Sequence, residues 1–198
     1  MQQEMVTRGA DQEPVGIQIP NVLSPRECSG IVKYGMEKGN YSDGLLGMNA
    51  GDKQNGIRRT RLWWFHHDEL KDKIMNQINK YNDQHWRFNL TACEFFQLGW
   101  YDKNCHYSWH QDYTPSVQEY HRKVSFSLIL NDTSEWEGGD LQVLRRLHRD
   151  GTPLIQTMKK LEQGSLCIFP SSTYHRVTPV TSGNRISLVG WVWGPRFT

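Results

Sequence analysis

Residues 164–193 read GSLCIFPSSTYHRVTPVTSGNRISLVGWVW, and this stretch is typical of an antiparallel β-protein. It predicts three short strands over residues 165–169, 175–177 and 185–193. A Pro-Ser-Ser segment at 170–172 separates the first two strands, and a Ser-Gly-Asn turn at 182–184 precedes the third.

The same β-type pattern extends back to residue 86, with further strands predicted over residues 93–98, 106–110, 123–130, 141–144 and 154–158. Turn signals lie between them, including Glu-Gly-Gly-Asp at 137–140 and Asp-Gly at 150–151. About eight closely spaced strands are typical of a two-sheet jelly-roll, the double-stranded β-helix. We therefore expect a mainly β fold with a jelly-roll core over residues 86–198.

The first 85 residues predict two supporting helices. Ser24 is a candidate N-cap before Pro25, and the helical pattern stops at Gly39. Asp68 is a candidate cap for a second helix with one apolar face, formed by Leu70, Ile74, Ile78 and Tyr81. Strands are expected at 15–19 and 59–65, a mobile loop at 44–56 and a flexible tail at 1–14. Residues 15–198 then form one domain, with helical support over 15–85.

Composition restricts the classes of protein to consider. The 198 residues carry a formal charge of +2, which gives little reason to expect a nucleic-acid partner. The four cysteines are scattered without a Cys-x-x-Cys pair, so we expect unpaired thiols and no cysteine-bound zinc. The polar N-terminus lacks a signal-peptide core, and no apolar run approaches the ~18 residues of a membrane span. We expect a cytoplasmic protein.

A metal site is predicted by His110 and Asp112, with His175 as a third ligand 63 residues further on. Side chains at i and i+2 of a strand point to one face, so the first two can share a site. Two imidazoles and one carboxylate suit Fe(II) and leave three coordination positions open. Zinc would bind the same ligands, and an isolated His-x-Asp often arises by chance.

Arg185 lies ten residues beyond His175, at the start of an apolar strand. Its guanidinium is a two-pronged donor suited to the far carboxylate of an oxo-diacid such as 2-oxoglutarate. Ser187, two residues on, shares its strand face and can add a hydroxyl. The alternative is a surface arginine in a turn.

Three segments carry a resemblance to a known family. Residues 101–112, YDKNCHYSWHQD, resemble the Tyr-x-x-Gly-x-x-Tyr-x-x-His-x-Asp motif of prolyl 4-hydroxylases and of the related bacterial and phage proteins of the PKHD type. Residues 137–141, EGGDL, and the block at 169–187 are also similar to segments of that family. The resemblance covers roughly residues 90–195.

The resemblance implies an Fe(II)- and 2-oxoglutarate-dependent dioxygenase that hydroxylates a C–H bond and releases succinate and CO₂. It assigns His110, Asp112 and His175 to iron, and Tyr101 and Arg185 to the co-substrate. O₂ is the second co-substrate, and ascorbate is a candidate reductant. The chain departs from the motif at Asn104, where the family has Gly, although Asn tolerates left-handed backbone. Leu141 stands where some relatives have a hydroxyl residue.

The resemblance also suggests a substrate, an extended peptide with a prolyl target. The 44–56 loop and the strand after it resemble the elements that cover the active site in peptidyl hydroxylases. Candidate substrate contacts are Trp63, Arg61 and Trp109, although Trp63 and its neighbour Trp64 could simply pack the sheet. Two other functions stay open, a dioxygenase acting on a small molecule or nucleobase and a catalytically silent jelly-roll binding module. The oligomeric state is not predicted.

Overall fold

The computed structural model describes residues 4–8, 14–44, 57–113, 119–158 and 162–196. The helices and strands are β1 Met5–Arg8, β2 Pro14–Ile19, α1 Pro25–Lys38, β3 Asn40–Asp43, β4 Arg58–Arg59, β5 Arg61–Phe65, α2 Asp68–Tyr81, β6 Ala92–Cys93, β7 Phe96–Tyr101, β8 His106–His110, β9 Tyr120–Ile129, β10 Trp136–Gly138, β11 Leu141–Leu147, β12 Pro153–Thr157, β13 Leu166–Pro170, β14 His175–Val177, β15 Val180–Gly183 and β16 Arg185–Pro195. A π-helical turn, Asn82–Trp86, follows α2.

Both predicted helices are confirmed, with one change of cap. Helix α1 begins with a capping box, in which the Ser24 hydroxyl accepts from the Glu27 N–H and the Glu27 carboxylate accepts from the Ser24 N–H. It ends at Gly39, as expected. The cap of α2 is His67, whose ring nitrogen accepts a first-turn N–H, and Asp68 is instead the first helical residue. An acidic residue in that first turn stabilises the helix, because its negative charge interacts favourably with the positive end of the helix dipole.

The strands form two main antiparallel sheets and one small ribbon, and the predicted jelly-roll is confirmed. The larger sheet has the order β1-β2-β13-β9-β16-β7-β5-β3, with β6 also pairing to β16. The smaller sheet has the order β12-β11-β14-β8-β4, and β10 pairs with β15. Because the site residues come from β7, β8, β14 and β16, both sheets contribute to it.

Strand β16 shows how alternation divides core from site. Ile186, Leu188 and Val192 belong to the main apolar core, which includes the buried faces of α1 and α2. The side chains between them line a cavity on the other face, namely Arg185, Ser187, Val189 and Trp191. This is the period of two expected for a strand that separates two environments.

The N-terminal part of the chain contributes more to the larger sheet than the sequence indicated. Residues 1–14 were expected to be a flexible tail, but Met5–Arg8 forms an edge strand paired with β2. The supporting region, residues 15–85, was expected to be mainly helical and the jelly-roll to begin at residue 86. Strands β5 and β3 come from the supporting region, and they extend the larger sheet beyond β7. A polar edge strand has too weak a periodic pattern to stand out in sequence, and its pairing partner decides its conformation.

Special backbone conformations occur where the sequence placed turns. Asn104 has φ +68°, so it adopts the left-handed conformation that the glycine of the motif would favour. Gly138 and Gly139 have φ values of +68° and +59°. A Cβ atom on Gly139 would lie 3.0 Å from Cδ of Arg185, so glycine is required both by conformation and by this close approach.

The four cysteines are free thiols, as expected. In the part of the chain that the structure describes, no helix is long and apolar enough to cross a membrane. The cytoplasmic location stays a prediction. The loop expected at 44–56 lies outside the described residues beyond Gly44, so its role as a lid also stays a prediction.

Candidate metal centre

The three predicted metal ligands converge at one cavity between the two sheets. Their ligand atoms lie within 4.8 Å of one another. Asp112 Oδ1 is 3.5 Å from His110 Nε2, and Asp112 Oδ2 is 3.5 Å from His175 Nε2. Neighbouring donors around a six-coordinate ion with bonds of about 2.1 Å are about 3 Å apart, so the arrangement needs only a small contraction to hold one ion.

Each imidazole is oriented by a backbone carbonyl. His110 Nδ1 donates to Ser108 O at 2.7 Å, and His175 Nδ1 donates to Thr173 O at 2.9 Å. A carbonyl oxygen can only accept, so each Nδ1 carries a proton and the Nε2 lone pair of the neutral ring faces the cavity. This second contact fixes both the tautomer and the ring direction that a metal requires.

The segment between β13 and β14 holds Asp112 and His175 together. Strand β8 ends at His110, so Asp112 lies just beyond the strand, and its N–H donates to Ser171 O at 3.0 Å. Ser171 is itself buried, with its hydroxyl 2.9 Å from that of Ser125. Two residues later, Thr173 supplies the carbonyl that holds His175. One short loop therefore sets the distance between the two ligands.

The electrostatics favour the metal-binding forms of these groups. Burial acts to raise the pKa of Asp112, but the charge and hydrogen bonding of His175 and His110, with a further hydrogen bond from Trp191, outweigh it and hold the pKa below its usual range. Burial lowers the pKa of His175, and only Asp112 and a backbone hydrogen bond oppose that effect. A carboxylate beside a neutral imidazole is the protonation state that binds a divalent cation.

Arg185 lies at the other end of the same cavity and is only 2% exposed. Its guanidinium carbon lies 5.5 Å from the ring centre of Tyr101 and 5.8 Å from that of Trp136. Its Nη1 donates to Ser187 Oγ at 2.7 Å, whereas its Nε is buried without a partner. Within the described ranges, no carboxylate forms an ion pair with it. A buried cation of this kind is costly unless an anion joins it, so the site fits an anionic ligand.

Tyr101 is the cross-strand neighbour of Arg185 and is also buried. Burial raises its pKa, although the charge of Arg185 opposes the effect, so the phenol keeps its proton at neutral pH. It can then donate a hydrogen bond to an anion held by Arg185. A Cβ atom on Gly99 would lie 3.0 Å from Tyr101 Cε2, so the absence of a side chain at Gly99 leaves room for this ring.

The predicted substrate contacts do not line the cavity. Trp63 is 8% exposed and belongs to the main core, so packing is its role. Strand parity instead puts Trp64 on the cavity side, where it pairs with Gln97 and stacks on Trp191 at 6.1 Å. A register that differs by one residue exchanges the two faces of a strand.

The other two candidates, Arg61 and Trp109, also lie outside the cavity lining, and their contact with substrate stays a prediction. Arg61 Nη2 donates to both carboxylate oxygens of Asp102, at 3.0 and 2.8 Å, on the face of the larger sheet away from the cavity. Trp109 lies beneath Arg176, whose guanidinium carbon is 4.8 Å from its ring centre. His175 and Val177 of β14 face the cavity, so Arg176 between them points away from it. The Arg176–Trp109 pair therefore lies on the outer face of the smaller sheet.

Sequence reasoning gave no role to three residues that shape the site. Tyr107 lines the cavity and stacks on His110, with ring centres 3.5 Å apart and planes 14° apart. Tyr107 is the second tyrosine of the motif at residues 101–112, so its position in the motif could have indicated a role at the site. Trp191 could have been found from its parity with Arg185. Ser171 acts through its backbone carbonyl, and a carbonyl leaves no mark in the sequence.

The C-terminal part of the chain matches a known family. Residues 96–193 match the model of the 2OG-Fe(II) oxygenase superfamily. A PKHD-type hydroxylase of Synechococcus sp. (strain CC9902) is 38% identical over 88 residues, which cover 43% of this chain and 35% of that protein. A PKHD-type hydroxylase of Colwellia psychrerythraea is 28% identical over 88% of this chain and 76% of its own length. Some matches thus span about a third of the relative, others three quarters.

Solved structures share the fold at lower identity. A viral collagen prolyl hydroxylase from Paramecium Bursaria Chlorella virus-1, in its 2OG complex, gives a TM-score of 0.65 at 19% identity, covering 94% of this chain and 99% of that one. A prolyl hydroxylase from Trichoplax adhaerens, in complex with a hypoxia inducible factor peptide fragment, gives 0.67 at 19% identity, covering 90% and 83%.

The histidine–aspartate–histidine group offers the donor set that suits a non-haem iron, and the facing buried arginine suits an anionic oxo-acid. Residues 96–193 belong to the 2OG-Fe(II) oxygenase superfamily, and the chain is similar in sequence to PKHD-type hydroxylases and in fold to prolyl hydroxylases.

Proposed function

We propose that this chain is an Fe(II)- and 2-oxoglutarate-dependent dioxygenase that hydroxylates a C–H bond of a peptidyl prolyl residue. One observation carries the proposal. The convergent Nε2, Nε2 and carboxylate donors share a cavity with a buried arginine that has no carboxylate partner in the described part of the chain.

His110, Asp112 and His175 would hold the metal, and the family to which the chain belongs uses Fe(II) there. Arg185, with Tyr101 and Ser187 beside it, would hold the distal carboxylate of 2-oxoglutarate. When bound together, iron, the keto acid and O₂ supply the oxidising chemistry that hydroxylates the substrate and yields succinate and CO₂.

The protein contributes position and a protected environment. The Ser108 and Thr173 carbonyls hold a proton on Nδ1 of each imidazole, so Nε2, which faces the cavity, is the nitrogen available to a metal. The buried guanidinium offers charge-assisted bonds in a region with little water, and each contributes roughly 1.5–3 kcal/mol. Apolar side chains of Phe126, Val177 and Val189 enclose the space between the two ends.

The prolyl substrate rests on the names of the relatives and neighbours, and the neighbour from Trichoplax adhaerens is described with a peptide bound. A turnover assay with Fe(II) and 2-oxoglutarate tests it. Proline-containing peptides, free amino acids and alkylated oligonucleotides are compared by succinate release and by the mass change of the substrate, which is a gain of one oxygen atom for a hydroxylated carbon and loss of the alkyl group, as an aldehyde, for an N-alkylated base. Oxygen gain in the peptides alone supports the proposal.

A mass change only in an oligonucleotide, as alkyl loss, or only in a free amino acid, as oxygen gain, would overturn the prolyl assignment and retain the oxygenase. Absence of 2-oxoglutarate binding to the metal-loaded protein would instead favour a silent binding module. Asp112→Ala is the control, since succinate that still forms in that variant does not come from this centre.

A further inference from the structure

Arg58 is a second arginine on the cavity side of the smaller sheet. It is the cross-strand partner of Tyr107, which in turn pairs with Val177, and both of these partners line the cavity. Cross-strand partners in an antiparallel pair project to the same face. The row Val177, Tyr107, Arg58 therefore runs from the cavity wall to the edge of the sheet.

Arg58 sits on a stack that ends at a metal ligand. Its guanidinium carbon lies 5.2 Å from the ring centre of Tyr107, and the opposite face of that ring is covered by His110 at 3.5 Å. The two separations place the charge up to about 9 Å from the His110 ring. This is the reach of roughly two to three residues of extended peptide.

The charge of Arg58 is not neutralised within the described ranges. Nearby, Arg61 is paired with Asp102, and Arg122 is paired with Glu94 at 2.5 and 2.8 Å. Arg58 has instead one hydrogen bond, from Nε to the backbone carbonyl of Gly44 at 3.2 Å, and it is only partly exposed. Its terminal nitrogens are held over a ring in a region of reduced dielectric, where an anion gains more than it would at an open surface.

We propose that Arg58 forms a subsite for a carboxylate of the peptide substrate, located two to three residues from the residue that is hydroxylated. The proposal rests on the proposed function, because it requires a peptide in the cavity. The carboxylate comes from an aspartate or glutamate side chain, or from a peptide C-terminus. This subsite makes the chain selective for acidic peptides although its own net charge is close to zero.

Kinetics with a matched peptide series test the subsite. Each peptide has one proline, an acetylated N-terminus and an amidated C-terminus, with Glu, Gln or Lys placed at each position up to three residues on either side. One further peptide has a free C-terminal carboxylate, and it tests whether the carboxylate bound by Arg58 can come from the peptide C-terminus. The wild type, Arg58→Gln and Arg58→Glu are compared by the ratio of KM values for the Gln and Glu peptides.

For the wild type, we expect a KM roughly tenfold lower for the Glu peptide than for the Gln peptide at one or two positions, the size of one charge-assisted bond. The ratio should fall to about one in Arg58→Gln. In Arg58→Glu, the Lys peptide should become the preferred member, a reversal that a merely structural role would not produce. Mn(II) and 2-oxoglutarate affinities, measured by calorimetry, show that each variant keeps an intact centre.

Arg59→Gln is the matched control, since Arg59 pairs with His106 at the next register position and so projects to the other face. It should keep the wild-type ratio. Equal ratios in the wild type and Arg58→Gln, or an equal loss in Arg59→Gln, would overturn the subsite while leaving prolyl hydroxylation in place. Absence of turnover with every peptide would overturn the proposed peptide substrate, and the subsite with it.

Discussion

The two ends of the cavity are built in opposite ways. At the metal end, the ligand residues are held by backbone contacts, since carbonyls accept from both imidazole Nδ1 atoms and the Ser171 carbonyl accepts from the Asp112 N–H. At the other end, Arg185 is fully buried with one neutral acceptor and an unsatisfied Nε. The metal end is preorganised, whereas the cationic end buries a charge that no carboxylate among the described residues offsets, which lowers the stability of the protein by itself. Removing a group should therefore have different effects at the two ends.

The largest effect is expected at the metal end. His175→Ala removes one of three protein donors, so Mn(II) affinity should fall by more than the roughly hundredfold typical of losing an outer contact, and Fe(II)-dependent succinate formation should stop. Calorimetry and a turnover assay measure the two quantities. His106→Ala, on the same strand as His110 but outside the triad, should bind Mn(II) normally. Unchanged affinity in His175→Ala would remove this residue from the ligand set.

At the cationic end, Arg185→Met should keep the metal and lose the co-substrate. One or two charge-assisted bonds of roughly 1.5–3 kcal/mol each predict a fall in 2-oxoglutarate affinity of at least tenfold. Without co-substrate, the variant should unfold at a higher temperature than the wild type, because a buried unpaired charge has been removed. Arg61→Met, at the Asp102 ion pair, should change neither affinity. Equal affinity in Arg185→Met and wild type would contradict the role of Arg185.

A smaller effect is expected when the arginine loses its orienting neighbour. Ser187→Ala removes the hydroxyl that accepts from Arg185 Nη1 at 2.7 Å. The hydrogen bond that orients the guanidinium contributes about 1 kcal/mol to the binding free energy, so its loss predicts a fall in 2-oxoglutarate affinity of roughly fivefold. Mn(II) affinity should be unchanged. Ser182→Ala, at an exposed position of β15, is the control. A drop in Mn(II) affinity in Ser187→Ala would show that the two ends are not independent.

The smallest effect is expected far from both ends, at the capping box of α1. Hydrogen bonds from Lys73 and Ser24 lower the pKa of Glu27 from 4.5 to about 2. A lowered pKa in the folded state stabilises the protein above the unfolded-state value and loses that contribution as the pH falls toward 2. The wild type should thus be slightly more stable than Glu27→Gln at pH 7, with the gap closing between pH 4.5 and 2.

Urea unfolding across that pH range measures the gap at Glu27. Neither Mn(II) nor 2-oxoglutarate affinity should change in Glu27→Gln. A gap that grows as the pH falls would contradict the assigned sign.

Much of the fold could be predicted because local signals agreed with it. The capping box at Ser24 and the apolar face of α2 are local patterns, and both helices lie where these patterns put them. Strands β8 and β14 have the expected bounds. The edge strand β1 was missed because it has little apolar pattern of its own and depends on pairing with β2.

The candidate site divides in the same way. The spacing of His110 and Asp112 and the parity of Arg185 and Ser187 could be read from the chain, because side-chain direction follows from local backbone geometry. The choice between Trp63 and Trp64 could not, since two adjacent tryptophans fit either register.

The amino-acid sequence by itself determined which side chains are candidates for binding metal and anion, because their chemical types and strand parity are local properties. Only the tertiary structure decided that His175 reaches His110 and Asp112, that the Ser108 and Thr173 carbonyls set the imidazole tautomers, and that Arg185 is buried with no carboxylate partner among the described residues. Those features depend on strands far apart in the chain packing against each other, and on backbone atoms that every residue type shares.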